Sequence, residues 1–159
     1  MDGNGLVTGF LPAASFLLAA FILAEPIIAR QQAPWFGTWV QDLSAPARLS
    51  PLPYKKVTVR IEPWRDGLRV VYDMVRTRGG ITHIEWEGKF DGGDYPVQGV
   101  DSFLTNAYRQ LDGRSYEVLI KVDGRPAATA TAVVSEDGRT LTVTTVEQGR
   151  QSTAVYRRQ

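Results

Sequence analysis

The chain has 159 residues, enough for one domain with a hydrophobic core and one additional segment, but too few for two independent folds of ordinary size. Its 18 Lys and Arg residues balance 17 Asp and Glu residues, so it lacks the basic excess that holds nucleic acid by its phosphates, and we expect no nucleic-acid partner. No cysteine is present, which excludes disulfides, thiolate metal sites and cysteine nucleophiles.

The first predicted element is an uncharged apolar segment from Leu6 to Ala24. At about 1.5 Å per helical residue it reaches roughly 28 Å, close to the hydrocarbon thickness of a bilayer, about 30 Å. No Lys or Arg precedes Arg30, whereas a secretory leader should begin with basic residues. We therefore predict one retained transmembrane helix within residues 1–30, followed by a linker over 31–35.

A cleaved leader is the alternative for this segment, because Ile27-Ile28-Ala29 after Pro26 is an acceptable cleavage site. The two fates predict different locations. If residues 1–29 stay, the protein is a single-pass membrane protein, and the absence of basic residues before the helix favours a cytoplasmic position for the remaining chain. If they are removed, the protein is periplasmic or secreted.

From residue 36 onward the sequence alternates between apolar and polar residues, as half-buried strands do. Val57, Val59 and Ile61 follow this pattern, and pairs such as Asp-Gly and Gly-Gly separate the runs. We predict ten strands, at 36–42, 55–62, 68–75, 81–90, 95–101, 103–111, 115–122, 126–134, 139–147 and 152–158. Short connections require an antiparallel meander, which either splits into a sandwich or closes into a barrel.

Closure removes exposed strand edges, so we predict an all-β, antiparallel up-and-down barrel over 36–159 behind one N-terminal transmembrane helix. The one long connection, from Leu43 to Tyr54, contains three prolines and predicts an irregular cover instead of a helix.

The motif Phe36-Gly37-Thr38-Trp39 places a Gly-x-Trp on the first strand of this barrel. In this context it resembles the calycin superfamily of lipocalins and fatty-acid-binding proteins, and the stretch from Lys89 to Val97 is similar to a turn of bacterial lipocalin-like domains. In the lipocalin pattern the tryptophan closes one barrel end, and a basic side chain from the last strand covers it by a cation–π contact. The resemblance thus implies a structural plug of Gly37 and Trp39, covered by Arg157 or Arg158.

Two departures from the fatty-acid-binding pattern limit what the resemblance implies about ligands. No helical lid follows the first strand, and the Arg-x-Tyr that clamps a carboxylate on the last strand is here Ala154-Val155-Tyr156. A buried carboxylate would therefore lose its charged partner, and a fatty-acid ligand is not implied.

Aromatic side chains on the predicted strands either line an interior cavity or fill it. The cavity candidates are Tyr72, Trp86, Tyr116 and Tyr156, with Arg109 as the one basic residue that would meet an acidic ligand group if it pointed inward. Small residues at Ala128, Ala130 and Ala132 would leave room inside, unless a large neighbour such as Trp86 or Tyr116 occupies it, and a filled interior is slightly favoured over a ligand cavity. Trp35 follows the apolar segment closely, so we predict it at the membrane interface, with a first core position as the alternative.

No catalytic motif is present, and we expect neither enzyme activity, a cofactor nor a metal site. The only histidine, His83, shares a strand face with Glu85 and Glu87, and we expect this face to be solvated.

The predicted function is that of a non-catalytic accessory subunit, tethered by one helix and docked on a larger membrane complex, with other subunits and lipid as partners. The alternative is a lipocalin-like carrier that binds a small hydrophobic ligand in the barrel.

Overall fold

Ten antiparallel strands form one closed barrel in a computed structural model that describes residues 33–44 and 54–159. The strands are β1 (Gly37–Gln41), β2 (Tyr54–Trp64), β3 (Gly67–Arg76), β4 (Ile81–Lys89), β5 (Tyr95–Gln98), β6 (Leu104–Gln110), β7 (Ser115–Val122), β8 (Arg125–Val134), β9 (Thr140–Glu147) and β10 (Arg150–Arg158). Each strand pairs with its neighbours in the chain, and β1 also pairs with β10. The predicted ten strands and up-and-down barrel are confirmed.

Alternation along the strands directs one side chain in two into the barrel. In β2, Val57, Val59 and Ile61 are buried, whereas Thr58 and Arg60 between them are half-buried on the outer face. The register places Val59 between Trp39 of β1 and Tyr72 of β3, so inward positions of neighbouring strands lie side by side.

The barrel has two different ends. In a meander the connections fall alternately at the two ends, so the β5–β6 connection lies opposite the β8–β9 connection. At the β8–β9 end, Trp35 and Trp39 are 2% and 0% exposed and form the centre of the core. The β5–β6 end carries no comparable tryptophan pair among the described residues and is the more open one.

The burial of Trp35 corrects its predicted position at the membrane interface. Its ring packs against those of Phe90 and Tyr116, with centroids 5.8 Å and 5.4 Å away, so it is a core residue of the barrel. The physical reason is that the large apolar ring of Trp35 is buried among other aromatic rings inside the barrel.

The predicted transmembrane helix at Leu6 to Ala24 lies outside the described residues, as does most of the proline-rich connection between β1 and β2. Within the parts of the chain that are described, no helix combines the length and apolar character needed to cross a membrane.

Candidate functional site

One end of the barrel is closed by Trp39 and Arg158. The guanidinium of Arg158 lies 4.3 Å from the centroid of the Trp39 ring. The same group donates hydrogen bonds to the carbonyls of Gly138 (2.7 Å), Phe36 (2.9 Å) and Pro34, and so joins the β8–β9 turn to the segment that leads into β1. The end is thus held by packing, cation–π attraction and hydrogen bonds together.

Gly37 is required for this closure. Its φ is +141°, in a region that favours glycine, and a Cβ at this position would lie 2.7 Å from Nη1 of Arg158. The motif Gly-x-Trp therefore places both residues of the plug where the resemblance implied.

Arg157, the residue predicted to cover Trp39, does not do so. Its Nη1 donates to Oγ1 of Thr140 at 3.0 Å on the outer face. Arg158 is the direct cross-strand partner of Trp39, and direct partners point to the same side of a sheet. Of the two arginines that the resemblance implied, Arg158 is therefore the cover.

An aromatic floor lies beneath the plug. The ring centroids of Trp35 and Phe36 are 6.2 Å apart, and Phe90 is 5.9 Å from Tyr116. The Nε1 of Trp39 donates to the carbonyl of Trp35 at 2.9 Å, which fixes the two indoles relative to each other. The sequence analysis missed Phe90, which follows the end of β4 and is half-buried.

Beyond the floor the barrel encloses a chamber of about 160 Å³. Three of the candidate cavity residues, Tyr72, Trp86 and Tyr116, line it. Ala130 and Ala132 leave the space on one side that their small size indicated. The remaining walls are mainly aliphatic: Val59, Ile61, Val70, Val118, Ile120, Leu141 and Val143, with Asn106, Tyr108 and Thr145 as further polar members.

A second cavity of about 290 Å³, the mouth, lies next to the chamber. It shares with the chamber the residues Tyr72, Trp86, Asn106 and Ile120. Its other walls are apolar: Met74, Ile84, Val97, Val100 and Leu104. Because Val100 belongs to the β5–β6 connection, the mouth lies at the end opposite the plug.

Most polar groups near the chamber are already paired with each other. The Trp86 Nε1 donates to the Tyr108 hydroxyl, and the nearby Asn106 side chain opposes the rise in the pKa of that hydroxyl. The rings of Tyr72 and Trp86 stack with centroids 5.6 Å apart. Tyr72 and Tyr156 each affect the pKa of the other, but Tyr156, a candidate cavity residue, does not line the chamber.

Two buried side-chain polar atoms of the described residues have no hydrogen-bond partner: Nε1 of Trp35 in the aromatic floor and Oδ1 of Asn106 in the chamber. Asn106 is 5% exposed and lines both the chamber and the mouth, and its Oδ1 accepts no hydrogen bond. Asn106 was not among the residues predicted for the cavity. The available signal was an asparagine in step with Leu104 and Tyr108 on a strand whose other inward positions are apolar or aromatic.

The chamber is uncharged at neutral pH. Burial raises the pKa of Tyr72, Tyr108, Tyr116 and Tyr156, so their hydroxyls stay protonated. None of the described residues that line the chamber or the mouth is Asp, Glu, Lys, Arg or His.

Arg109, a possible cavity residue, does not belong to the cavity and takes the outward position that was its alternative. Its Nη2 donates to Oε1 of Glu117 at 2.9 Å, and its side chain is 69% exposed. In the register Arg109 pairs with Glu117 and Tyr108 pairs with Val118. Because Tyr108 and Val118 point inward, the neighbouring pair must point outward.

His83 lies on the outer face, as expected. Its Nδ1 is 2.7 Å from Oδ1 of Asp73, and its side chain is 52% exposed. Within residues 33–44 and 54–159, no group of three His, Cys, Asp or Glu side chains is arranged to hold a metal ion.

Comparison with known proteins identifies the fold. No protein-family model matches the chain, and no curated protein sequence matches it. Among solved structures, a mutant of the fluorescent protein UnaG is similar, with a TM-score of 0.53 and 15% identity over 79% of this chain and 96% of that one. The fold is calycin-like. The resemblance seen at Gly37 and Trp39 is thereby confirmed for the calycin barrel, and at this identity the likeness concerns its fold alone.

Proposed function

We propose that the calycin barrel binds a small, uncharged, largely apolar molecule in the chamber and the mouth. The observation that carries the proposal is that these two cavities share Tyr72, Trp86, Asn106 and Ile120 and so present one internal surface from the open end toward the plug. This is the carrier function that the sequence offered as its alternative.

The sizes of the two cavities indicate the size of the molecule. An apolar cavity of about 150 Å³ stays dry and takes up benzene, so a chamber of about 160 Å³ suits one small ring system or a short chain. Ligand sites commonly span roughly 300–1,000 Å³. A larger ligand would therefore place its remaining part in the apolar mouth.

The charge of the lining indicates the chemical class. An ionised ligand would lose its hydration without meeting a cation or anion among the described lining residues. Ala154 stands where the fatty-acid-binding pattern has its arginine, and Tyr156 lines neither cavity. Both points favour a neutral ligand.

The proposal is tested with N-phenyl-1-naphthylamine, an uncharged probe whose fluorescence rises in apolar surroundings. The native protein should bind it, and Ala130→Phe, which fills the chamber, should abolish binding. Val133→Phe is the matched control, because Val133 lies on the same strand but is 44% exposed, and it should bind like the native protein.

Failure of the native protein to bind the probe would contradict the proposal, as would unchanged binding by a folded Ala130→Phe variant. Circular dichroism and the melting temperature show whether each variant is folded.

Membrane attachment is a separate matter that depends on residues 1–32, which lie outside the described part of the chain. The retained helix, the cytoplasmic position and the role of accessory subunit with protein and lipid partners stay predictions from the sequence, as does the absence of enzyme activity. Mass spectrometry of protein from native membranes would show whether residues 1–29 persist. Extraction in mild detergent would show whether stoichiometric partners accompany it.

A further inference from the structure

The unpaired carbonyl oxygen of Asn106 is a specific feature of the chamber. A buried acceptor without a hydrogen bond is costly, and most buried polar groups in proteins have partners. The Asn106 side chain is nine-tenths or more buried and borders both cavities, so its oxygen lies where a bound molecule would pass from the chamber into the mouth.

We infer that the ligand carries an N–H or O–H group that donates a hydrogen bond to Oδ1 of Asn106, and that the site selects neutral donors over otherwise similar molecules. The inference rests on the proposed function and narrows its ligand class. It assigns to Asn106 a role in specificity, with the apolar walls supplying most of the affinity.

The neighbouring hydrogen bonds show why the oxygen is the free end of the amide. The Tyr108 hydroxyl accepts a hydrogen bond from Nε1 of Trp86, and the Asn106 side chain lowers the pKa of that hydroxyl, as an N–H donor directed at it does. The amide nitrogen of Asn106 is therefore the end directed at Tyr108, and the amide oxygen faces away and has no partner.

The surroundings of this oxygen explain why a ligand, more than a water molecule, suits it. An ordered buried water needs two to four polar partners. The mouth around Asn106 offers mainly Ile84, Val97, Leu104 and Ile120. A donor attached to an apolar body would satisfy the oxygen and contact these side chains at the same time.

The ligand group that faces Asn106 Oδ1 has to be uncharged, and it has to donate a hydrogen bond and not accept one. A carboxylate or ether oxygen would approach the Asn106 oxygen with like partial charge, and no described lining residue supplies a compensating cation. A site built to bond a donor rejects an analogue that lacks it, because the buried group is then left unpaired.

The test compares indole with benzofuran, two molecules of nearly the same shape in which an N–H replaces an oxygen. Benzofuran-2-carboxylate serves as the charged member. Their affinities are measured by displacement of N-phenyl-1-naphthylamine from the native protein. Indole should bind about tenfold more tightly than benzofuran, a typical effect of satisfying one buried hydrogen-bonding group, and the carboxylate should bind more weakly than both.

Variants then locate the preference. Asn106→Leu should bind benzofuran at least as well as the native protein and should lose the preference for indole. It should also melt at a higher temperature, since the unpaired group is gone. Thr145→Val is the matched control, because it removes a different polar group from the chamber and should keep the preference.

The outcomes separate the two proposals. If neither the naphthylamine probe nor indole nor benzofuran binds, the proposed function fails. If indole and benzofuran bind the native protein equally, or the carboxylate binds as tightly as indole, the role of Asn106 is overturned while the proposed function stands. The role of Asn106 is also overturned if Asn106→Leu prefers indole over benzofuran as strongly as the native protein does.

Discussion

The guanidinium of Arg158 lies 4.3 Å from the centroid of the Trp39 ring, and the two residues are direct cross-strand partners at the plugged end of the barrel. Arg158 also donates to the carbonyls of Pro34, Phe36 and Gly138. One side chain therefore fixes the entry into β1, the β8–β9 turn and the last strand. The contact belongs to the stability of the barrel and lies away from the chamber mouth.

Replacing Arg158 by lysine should lower the free energy of unfolding by about 1–2 kcal/mol, because an ammonium cannot stack on the indole and serve several carbonyls together. Urea denaturation measures the change. Arg157→Lys is the control and should cost less than about 0.5 kcal/mol, since its contacts are on the outer surface. If the two substitutions lower the free energy of unfolding equally, the contacts of Arg158 with Trp39 and the carbonyls add no stability of their own.

Truncating Trp39 should be far more costly. The ring is fully buried, so Trp39→Ala should lower the free energy of unfolding by about 3–5 kcal/mol through lost packing. Trp64→Ala is the comparison, because Trp64 is half-buried at the end of β2 and contacts Arg65 in the adjoining turn. In thermal and urea unfolding, Trp39→Ala should be much less stable than Trp64→Ala. Similar stabilities of the two variants would contradict the role of Trp39 as the plug.

Gly88 allows β4 to approach Tyr108. A Cβ at Gly88 would lie 2.8 Å from the tyrosine ring, so Gly88→Ala must displace a fully buried side chain that lines the chamber. We expect a loss of about 1–3 kcal/mol, the usual range for overpacking. Gly113→Ala is the control, because no atom lies within 4 Å of the Cβ it would add. Its melting temperature should match that of the native protein, whereas Gly88→Ala should melt several degrees lower.

Alkaline pH should unfold the barrel through its buried tyrosines. Burial raises the pKa of Tyr108, Tyr116 and Tyr156 above 10.0, the ordinary value, so the folded state keeps protons that the unfolded chain gives up. Their contribution to stability is intact below pH 10.0 and falls as the pH rises above it, by up to about 1.4 kcal/mol per pH unit for each tyrosine.

Tyrosinate absorbance near 295 nm and near-UV circular dichroism, followed together, test this prediction. Ionisation of the three buried tyrosines should coincide with the loss of the near-UV signal. Reversible ionisation of all of them with that signal intact would contradict their burial in an intact barrel.

The sequence predicted the elements of the fold because each depends on short-range patterns. Alternation in runs such as Val57 to Ile61, with turn residues between the runs, marks all ten strands. The short connections then require an antiparallel meander. The Gly-x-Trp motif likewise placed Gly37 and Trp39 at a barrel end, and the polar face of β4 placed His83 outside.

The inward face of each strand was harder to assign. In β6 the polar and apolar residues do not alternate, and four consecutive ones are buried: Thr105, Asn106, Ala107 and Tyr108. The sequence pattern therefore does not show which of them face the interior. Arg109 was therefore open to an inward interpretation, and Asn106 was overlooked. The same difficulty applies to the two adjacent arginines of β10, Arg157 and Arg158. Only the strand register shows which of them points to the same side as Trp39.

What the sequence determined by itself was the alternation of ten strands, the turns between them and the glycine and tryptophan of the plug, because these follow from local backbone preferences and a period of two. Only the tertiary structure decided which arginine covers Trp39, that Trp35 is a core residue, and that a chamber with an unpaired Asn106 oxygen lies between the plug and the open end. Those features depend on the pairing of strands far apart in the chain and on the volumes of side chains that meet inside the closed barrel, and no local pattern encodes either quantity.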